Sequence, residues 1–502
     1  METLIARYKH FEEKILQNVK RNGIQHRPNA SSGLWLGTLV GLSAVITILR
    51  EENSYSEICL LVGITGFGLV LSTCCLYTRL SMQGVAAKDF HVVYFLPAIV
   101  TSMLFLLAAN RGLLTSVTWG VTVGSLGTWG VLQLMSAFPY CFTMGEATAV
   151  MHSCILFLMS AVTNLPLRYH LPPIHDNDIS TVLLQVGILY VMSVCLLCGY
   201  FPILHNTKYF YSMTVSLLCF ITVPLLCIIL DQNPVMWIIT FMFNDRKRAA
   251  IVAYWAVCLL LSIFTIMCQI LSKSQATSSC RKSFHILAIF VYIPGMIYDP
   301  SLLYLASGVM LALFIALETI RLLKIPPLGE ILHEGFTLFV DEKDSLLSLT
   351  AIYLLCGLSF SLWMPTSNLT LLVLFSGVLT IGIGDTAANF VGCRWGSHKW
   401  VGTEKTIEGT VACVFCQVCV ILGLTFCGIF RFLYLFNKRS SLFTKALALI
   451  CVFTRIFPGF VDSHWLLLRS ILAAVSVSLI EARTNQVDNL ALPLFMYVCL
   501  MI

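Results

Sequence analysis

The chain has 502 residues, 58% of them hydrophobic and 11% charged, where an average soluble domain carries roughly 25% charged residues. A water-soluble fold is excluded, and a formal net charge of +6 is too small for this length to mark a nucleic-acid surface; it fits positively charged cytoplasmic loops. At about 20 residues per span, the composition predicts an all-α, polytopic integral membrane protein with about 13–16 transmembrane helices.

Residues 1–32 are charged and mixed (KHFEEKILQNVKRNGIQHR), without the short apolar core of a secretory signal, and are expected to form a cytoplasmic N-terminal segment. Apolar segments then follow from 34–49 to 488–502, with an N-terminal transmembrane region over 33–270 and a catalytic transmembrane region over 271–502. No Asp, Glu, Lys or Arg occurs between Gly112 and Gly145, so Gly120, Gly124, Gly127 and Gly130 predict close helix packing or a turn between two spans. The hydrophilic stretches at 164–178, 231–249, 272–285, 321–344 and 385–407 are each too short for a soluble catalytic domain. Basic residues cluster at 246–248 and 273–282, yet the single span 250–271 separates these clusters, so both cannot obey the positive-inside rule. Positions 281, 321 and 399–405 are expected in the cytoplasm, with the turn at Pro365 on the opposite side. The sequon Asn368-Leu369-Thr370 then hugs the membrane and is expected to be poorly glycosylated, while Asn29-Ala30-Ser31 stays cytoplasmic and unmodified. The spacing Cys413-x-x-Cys416-x-x-Cys419 has the form of a metal motif, but within VACVFCQVCVILGL it predicts small packing residues of a helix.

Polarity concentrates between Asp385 and Glu408, where six of 24 residues are charged. The order GIGDTAANFVGCRWGSHKWVGTEKTIEGT sets an acid at the end of a span, then spaced glycines, then lysines, then an acid and a glycine opening the next span. Glycines admit backbone N–H groups to an oxyanion, lysines supply point charges for phosphates, and an acid can hold a divalent cation that bridges them. These are the components of a nucleotide-triphosphate site. Gly382-Ile383-Gly384-Asp385-Thr386-Ala387 fits G-x-G-x-x-A, but a dinucleotide fold needs a parallel sheet for which the chain has no room, and no G-x-x-x-x-G-K-[ST] occurs. The plain alternative is a positively charged loop between two spans.

The run Asp385-x-x-Ala388-x-x-x-Gly392-x-x-x-Gly396, followed by Lys405-Thr406-x-Glu408-Gly409, resembles the CTP-binding motif of the dolichol kinases, polyprenol kinases of the endoplasmic reticulum. Arg281-Lys282-x-Phe284-His285 resembles the basic signature that family shares with phytol kinases, Asp341-Glu342-Lys343-Asp344 its acidic loop, and Glu481-x-x-x-x-Gln486-x-Asp488-Asn489 its C-terminal polar helix. Phe142-Thr143-Met144-Gly145-Glu146 resembles a motif of the longer, dolichol-type members. Glu404 stands where the family tends to have a second lysine, which shifts weight to Lys399. The resemblance implies a phosphotransferase acting on the membrane lipid dolichol, with CTP as phosphoryl donor and a divalent metal ion, Mg2+ first, in a multi-pass protein of the endoplasmic reticulum membrane whose active site faces the cytosol. The CTP-binding residues it implies are Gly384, Asp385, Thr386, Ala388, Gly392, Gly396, Lys399, Gly402, Lys405, Thr406, Glu408 and Gly409.

The individual side chains add to this. Asp385 closes a span at a helix C-terminus, where the dipole disfavours a carboxylate, so it is expected to hold the metal, with acceptance of the dolichol hydroxyl proton as a second role. Arg281 and His285, i and i+4 on one helix, face the same way with Lys282 beside them; snorkelling explains an Arg-Lys pair alone, and the three together are candidates for phosphate or transition-state charge. Asp488 opens the last apolar segment, where an ionisable group is costly, and is expected to be catalytic and to bind metal. Glu318 and Arg321 read equally as a structural or a catalytic ion pair. Glu330-x-x-His333 lacks the second E-x-x-H of a diiron site and reads as an interfacial polar helix. Two rivals remain: a CTP-dependent cytidylyltransferase, which would release pyrophosphate, and a secondary transporter, which would show internal repeats. No nucleic-acid partner is expected, and the oligomeric state is not legible.

Overall fold

Apolar segments in lipid can satisfy their backbone only internally, and helices dominate the chain. The computed structural model describes residues 2–50, 57–82, 92–173, 175–272, 278–339, 343–365, 370–438 and 465–502. Among these, eight helices are long and apolar enough to cross a membrane, from Glu57–Ser81 to Trp465–Arg483, and six shorter apolar helices accompany them. The described residues contain no strand, only an isolated bridge between Lys399 and Thr406. Arg246–Ser272 exposes Leu259, Leu260, Phe264 and Leu271 along its outer face. Water would not tolerate so continuous an apolar surface, whereas lipid does. This is an all-α, multi-pass membrane protein.

The first apolar helix meets the last. Leu34–Leu49 packs against Glu57–Ser81, Met144–His170 and Asp488–Met501, and the Thr47 and Tyr497 hydroxyls lie 2.8 Å apart. One large core therefore runs from Ile15 and Val19 through Leu69 and Met159 to Leu358, Ile381, Val477 and Tyr497. A second core joins Ile179, Val186, Leu226 and Ile251 to Leu302 and Leu305. Both cross residue 270. Between Phe95–Leu107 and Leu113–Ser125 the approach is as close as the glycines predict: a Cβ on Gly120 would lie 2.1 Å from Ser102 Oγ, and one on Gly124 2.7 Å from Ala98 N.

The conflict between the basic clusters resolves geometrically. Arg248 pairs with Asp299 at 2.5 Å and Asp176 at 3.4 Å, at the far end of Ser278–Tyr298 from Lys282, about 25 Å away along the helix. Pro300–Leu322 then returns to the Lys282 side. There Arg321 pairs with Glu318 at 2.6 Å and donates to the Leu346 carbonyl at 2.7 Å, while Glu318 accepts Ser348 N–H at 2.8 Å. This pair ties the 345–348 turn to a helix, which is a structural role. The cysteines 413, 416 and 419 are free thiols on one helix, buried, half-buried and exposed in turn. Asn368 and Leu369 of the sequon, Asp341 and Glu342 of the acidic loop, and residues 439–464 lie outside the described residues.

Candidate active site

Several helix ends, the helix Thr386–Trp395 and the 396–406 turn build a cavity of about 500 Å³. Lys282 and His285 come from one turn of Ser278–Tyr298; the side chain of Arg281 lies outside the described residues. Lys282 Nζ forms an ion pair with Asp385, and His285 Nδ1 stands 3.5 Å from the same carboxylate oxygen. Asp385 is not at a helix end, contrary to the sequence expectation. The π-helical stretch Val378–Asp385 runs directly into the α-helix Thr386–Trp395, so no helix terminus opposes the carboxylate, and the Lys282 ammonium answers its charge instead. A π-turn at such a place widens the helix and re-aims the side chains around it, as is common at functional sites.

Asp385 meets two further acids. One carboxylate oxygen each from Asp385, Glu481 and Asp488 lie within 4.8 Å of one another. Lys405 Nζ is 2.6 Å from Glu481 Oε1 and 3.4 Å from Asp488 Oδ2; Lys343 Nζ is 3.4 Å from Asp488 Oδ2 and donates to the Gln486 carbonyl at 2.8 Å. Three carboxylates thus face three ammonium groups. Burial opposes the charge on Lys405, but Asp488 and Glu481, with Asp385 behind them, outweigh it and hold its pKa above the usual lysine value. Asp488 Oδ1 is buried with no hydrogen-bond partner among the described residues. An orphaned carboxylate oxygen beside two more carboxylates fits a hard divalent cation, which takes oxygen ligands.

The glycines do something other than present N–H groups. A Cβ on Gly392 would lie 2.9 Å from Thr406 Oγ1, and one on Gly409 2.8 Å from the Ala388 carbonyl. Their absence of side chains lets Thr386–Trp395 and the helix beginning at Ile407 close around Thr406, and it leaves a bare wall of Ala388, Gly392, Gly396 and Gly409 on the cavity. The turn after Gly396 is pinned by Trp400 N–H to the Lys405 carbonyl at 2.9 Å, with Gly402 at φ +79°, a conformation that favours glycine. Lys399 pairs with the exposed Glu404 at the rim and holds the Glu404 carboxyl below its usual range.

Known proteins place the chain. A family model described as Dolichol kinase matches residues 129–354. Human dolichol kinase is 32% identical over 391 residues, covering 73% of this chain and 66% of the human protein. The chain belongs to the dolichol kinase family. Dolichol kinase EVAN of Arabidopsis thaliana is 27% identical over 505 residues, 93% of this chain and 79% of the plant protein. Dolichol kinase sec59 of Schizosaccharomyces pombe is 25% identical over 354 residues, 66% of this chain and 63% of the yeast protein. The aligned part thus spans about two thirds of the human and fission-yeast relatives' own length. No solved structure matches the chain.

Of the residues the dolichol kinase resemblance implies, Lys282, His285, Asp385, Ala388, Gly392, Gly396, Lys399, Lys405, Thr406, Gly409 and Asp488 line the cavity. Four do not. Gly384 faces inward, where a Cβ would lie 2.4 Å from Gln417 Nε2; Thr386 turns its hydroxyl to the Ile381 carbonyl at 3.4 Å; Gly402 is at the turn; and Glu408 accepts His398 N–H at 3.1 Å and contacts its ring at 2.7 Å. Three lining residues, Glu481, Lys343 and Asn489, stand in the same motifs outside the implied site set. Glu481, near the end of the apolar helix Trp465–Arg483, carried the signal of an ionisable group in a span. Lys343 was masked by its acidic neighbours. Asp344, by contrast, accepts Leu349 N–H at 3.0 Å and Thr350 N–H at 3.2 Å, so it organises the entry to the helix Thr350–Trp363 and does not itself line the cavity.

Proposed function

We propose that the chain transfers the γ-phosphoryl group of CTP to the terminal hydroxyl of dolichol, giving dolichyl phosphate and CDP, at the cytosolic face of the endoplasmic reticulum membrane. The observation that carries this reading is the meeting of Lys282, Lys343 and Lys405 with Asp385, Glu481 and Asp488 in one cavity. A cation-holding acid cluster beside ammonium groups is what a triphosphate needs, since phosphoryl transfer asks the protein mainly for positioning and charge neutralisation. The names of the relatives supply dolichol as acceptor, and the resemblance of the 385–409 motif supplies CTP.

Lys405 and Lys282 hold the β- and γ-phosphates, and the bare Ala388–Gly409 wall lets the nucleotide approach the helix pair. Asp385, Glu481 and Asp488 would hold a divalent ion, which when bound would supply electrostatic stabilisation of the charge that moves onto the β-phosphate. The dolichol hydroxyl gives its proton to the Asp385 carboxylate as its oxygen forms the new bond to phosphorus, the bridging P–O bond of the γ-phosphate breaks, and CDP leaves. The lipid side is in keeping with this: Val391, Ile407, Val411 and Phe415 line an apolar groove on the outer face of the helices that form the cavity wall, and a polyisoprenoid tail can stay in the bilayer there while its hydroxyl reaches the interface. Incubating the purified chain with γ-labelled CTP, Mg2+ and dolichol tests the reading. Label in the lipid with release of CDP is expected; release of pyrophosphate would establish nucleotidyl transfer in its place.

A further inference from the structure

Four residues before the cavity's Asp488 begins a loop that is gripped from the other end of the chain. Arg27 is buried, and its Nη2 donates to Glu146 Oε1 at 2.9 Å and to the Asn485 carbonyl at 2.9 Å. Glu146 is fully buried at the start of Met144–His170. It closes a capping box with Thr143, whose N–H donates to Glu146 Oε2 at 3.1 Å, and its Oε1 also accepts Val487 N–H at 2.9 Å. Between these two anchors, Gln486 Oε1 accepts the Thr143 hydroxyl at 2.6 Å, and Gln486 Nε2 donates to the Ser31 carbonyl at 3.0 Å. Asn485, Gln486 and Val487 are thus each held by residues 27–31 or 143–146, and the next residue is Asp488.

The crossing is too tight to be incidental. A Cβ on Gly145 would lie 1.8 Å from the Gly33 carbonyl oxygen, and one on Gly33, whose φ is +63°, would lie 2.3 Å from Gln486 Oε1. A buried ion pair is a poor source of net stability, because desolvating both charges offsets their attraction; fixing a geometry is the better attested use. Here the geometry fixed is that of the loop, since one carboxylate oxygen bridges the Arg27 guanidinium and the Val487 amide. Neither Arg27 nor Glu146 lines the cavity.

We infer that Arg27 and Glu146 are positioning residues of the active site: through Asn485, Gln486 and Val487 they aim Asp488 at Asp385 and Glu481, and this is what the N-terminal half contributes to cation binding. The inference rests on the proposed reading of the three carboxylates as the cation site. Partners outside the ligand set commonly control metal affinity by 10–100-fold. The full-length protein in detergent is titrated with Mn2+, and free Mn2+ is followed by electron paramagnetic resonance, alongside a thermal melt.

Glu146→Gln should weaken Mn2+ binding by about tenfold or more and move the Mg2+ dependence of activity to higher concentration by a similar factor. A merely structural pair would lower the melting temperature and the yield while the folded fraction kept its Mn2+ affinity; that result overturns the inference. If Glu146→Gln yields no folded protein, Arg27→Lys, which keeps the charge but cannot span both acceptors, decides by the same criterion. Failure of the wild-type protein to bind Mn2+ at all would instead overturn the cation site itself, and the inference with it.

Discussion

Replacing Lys405 by Met keeps most of the stem and removes the ammonium. That Nζ lies 2.6 Å from both the Glu481 Oε1 and the Glu481 carbonyl oxygen, and 3.4 Å from Asp488 Oδ2. Without it, three carboxylates within 4.8 Å of one another keep two ammonium groups among the described residues, Lys282 and Lys343. Two effects follow, of opposite sign for two ligands. A hydrogen bond to a charged group contributes about 1.5–3 kcal/mol, so losing the contact with a phosphate should cost roughly 2 kcal/mol, a rise of about thirtyfold in the KM for CTP. The KM for dolichol should stay within about twofold, since the acceptor enters from lipid and meets Lys405 only through the phosphoryl group. The unshielded carboxylates, in turn, should gain more from a cation than they do in wild type, because an ammonium no longer competes for their oxygens. Mg2+ should therefore raise the melting temperature of Lys405→Met by more than that of the wild-type protein. Steady-state assays with γ-labelled CTP at saturating dolichol, paired with melts with and without Mg2+, measure both. An unchanged KM for CTP removes Lys405 from the phosphate site, and a Mg2+ effect no larger than wild type refutes the competition between ammonium and cation.

Asp385→Asn should abolish phosphoryl transfer while leaving a cooperative melt, because the side chain keeps its size and loses the charge that pairs with Lys282 and that the proposed cation would need; near wild-type turnover would contradict its assignment. Glu481→Gln should weaken Mn2+ binding by about tenfold or more in the resonance titration, and equal binding would reduce the ligand set to Asp385 and Asp488. Arg248→Gln breaks the pairs with Asp299 and Asp176 at the opposite end of the bundle, so it should lower the melting temperature with no change in the KM for CTP; a changed KM would show that the two ends are coupled.

How much of this the sequence discloses follows from how far apart the cooperating residues lie. The helical class, the glycine-mediated packing at Gly120 and Gly124 and the 385–409 motif are local patterns, and they are legible because each is set by neighbours a few positions away. The surroundings of Asp385 are not. A terminus and a π-helical turn look alike in GIGDTAAN, since both are small residues followed by an acid, and only the packing of Lys282 decides between them. Likewise the spaced glycines suggest phosphate-binding amides, while the pairing of Gly392 with Thr406 and of Gly409 with Ala388 is a fact of two helices meeting.

The grip on the Asp488 loop lies furthest from reach. Glu146 is 119 positions from Arg27 and 341 from Val487, and no periodicity within a window connects them. One signal was nonetheless present. Glu146 follows directly after a run from Gly112 to Gly145 with no charged residue and opens a long apolar helix, so a carboxylate there must find a cation or lose its charge. In a membrane protein such residues are few, and each demands a partner that lipid cannot supply. Arg27, a basic residue just ahead of the first apolar helix, is a natural candidate on that ground alone. What the demand for a partner cannot say is which loop the pair then holds, because the Asn485 carbonyl and the Val487 amide are backbone groups that any residue would carry.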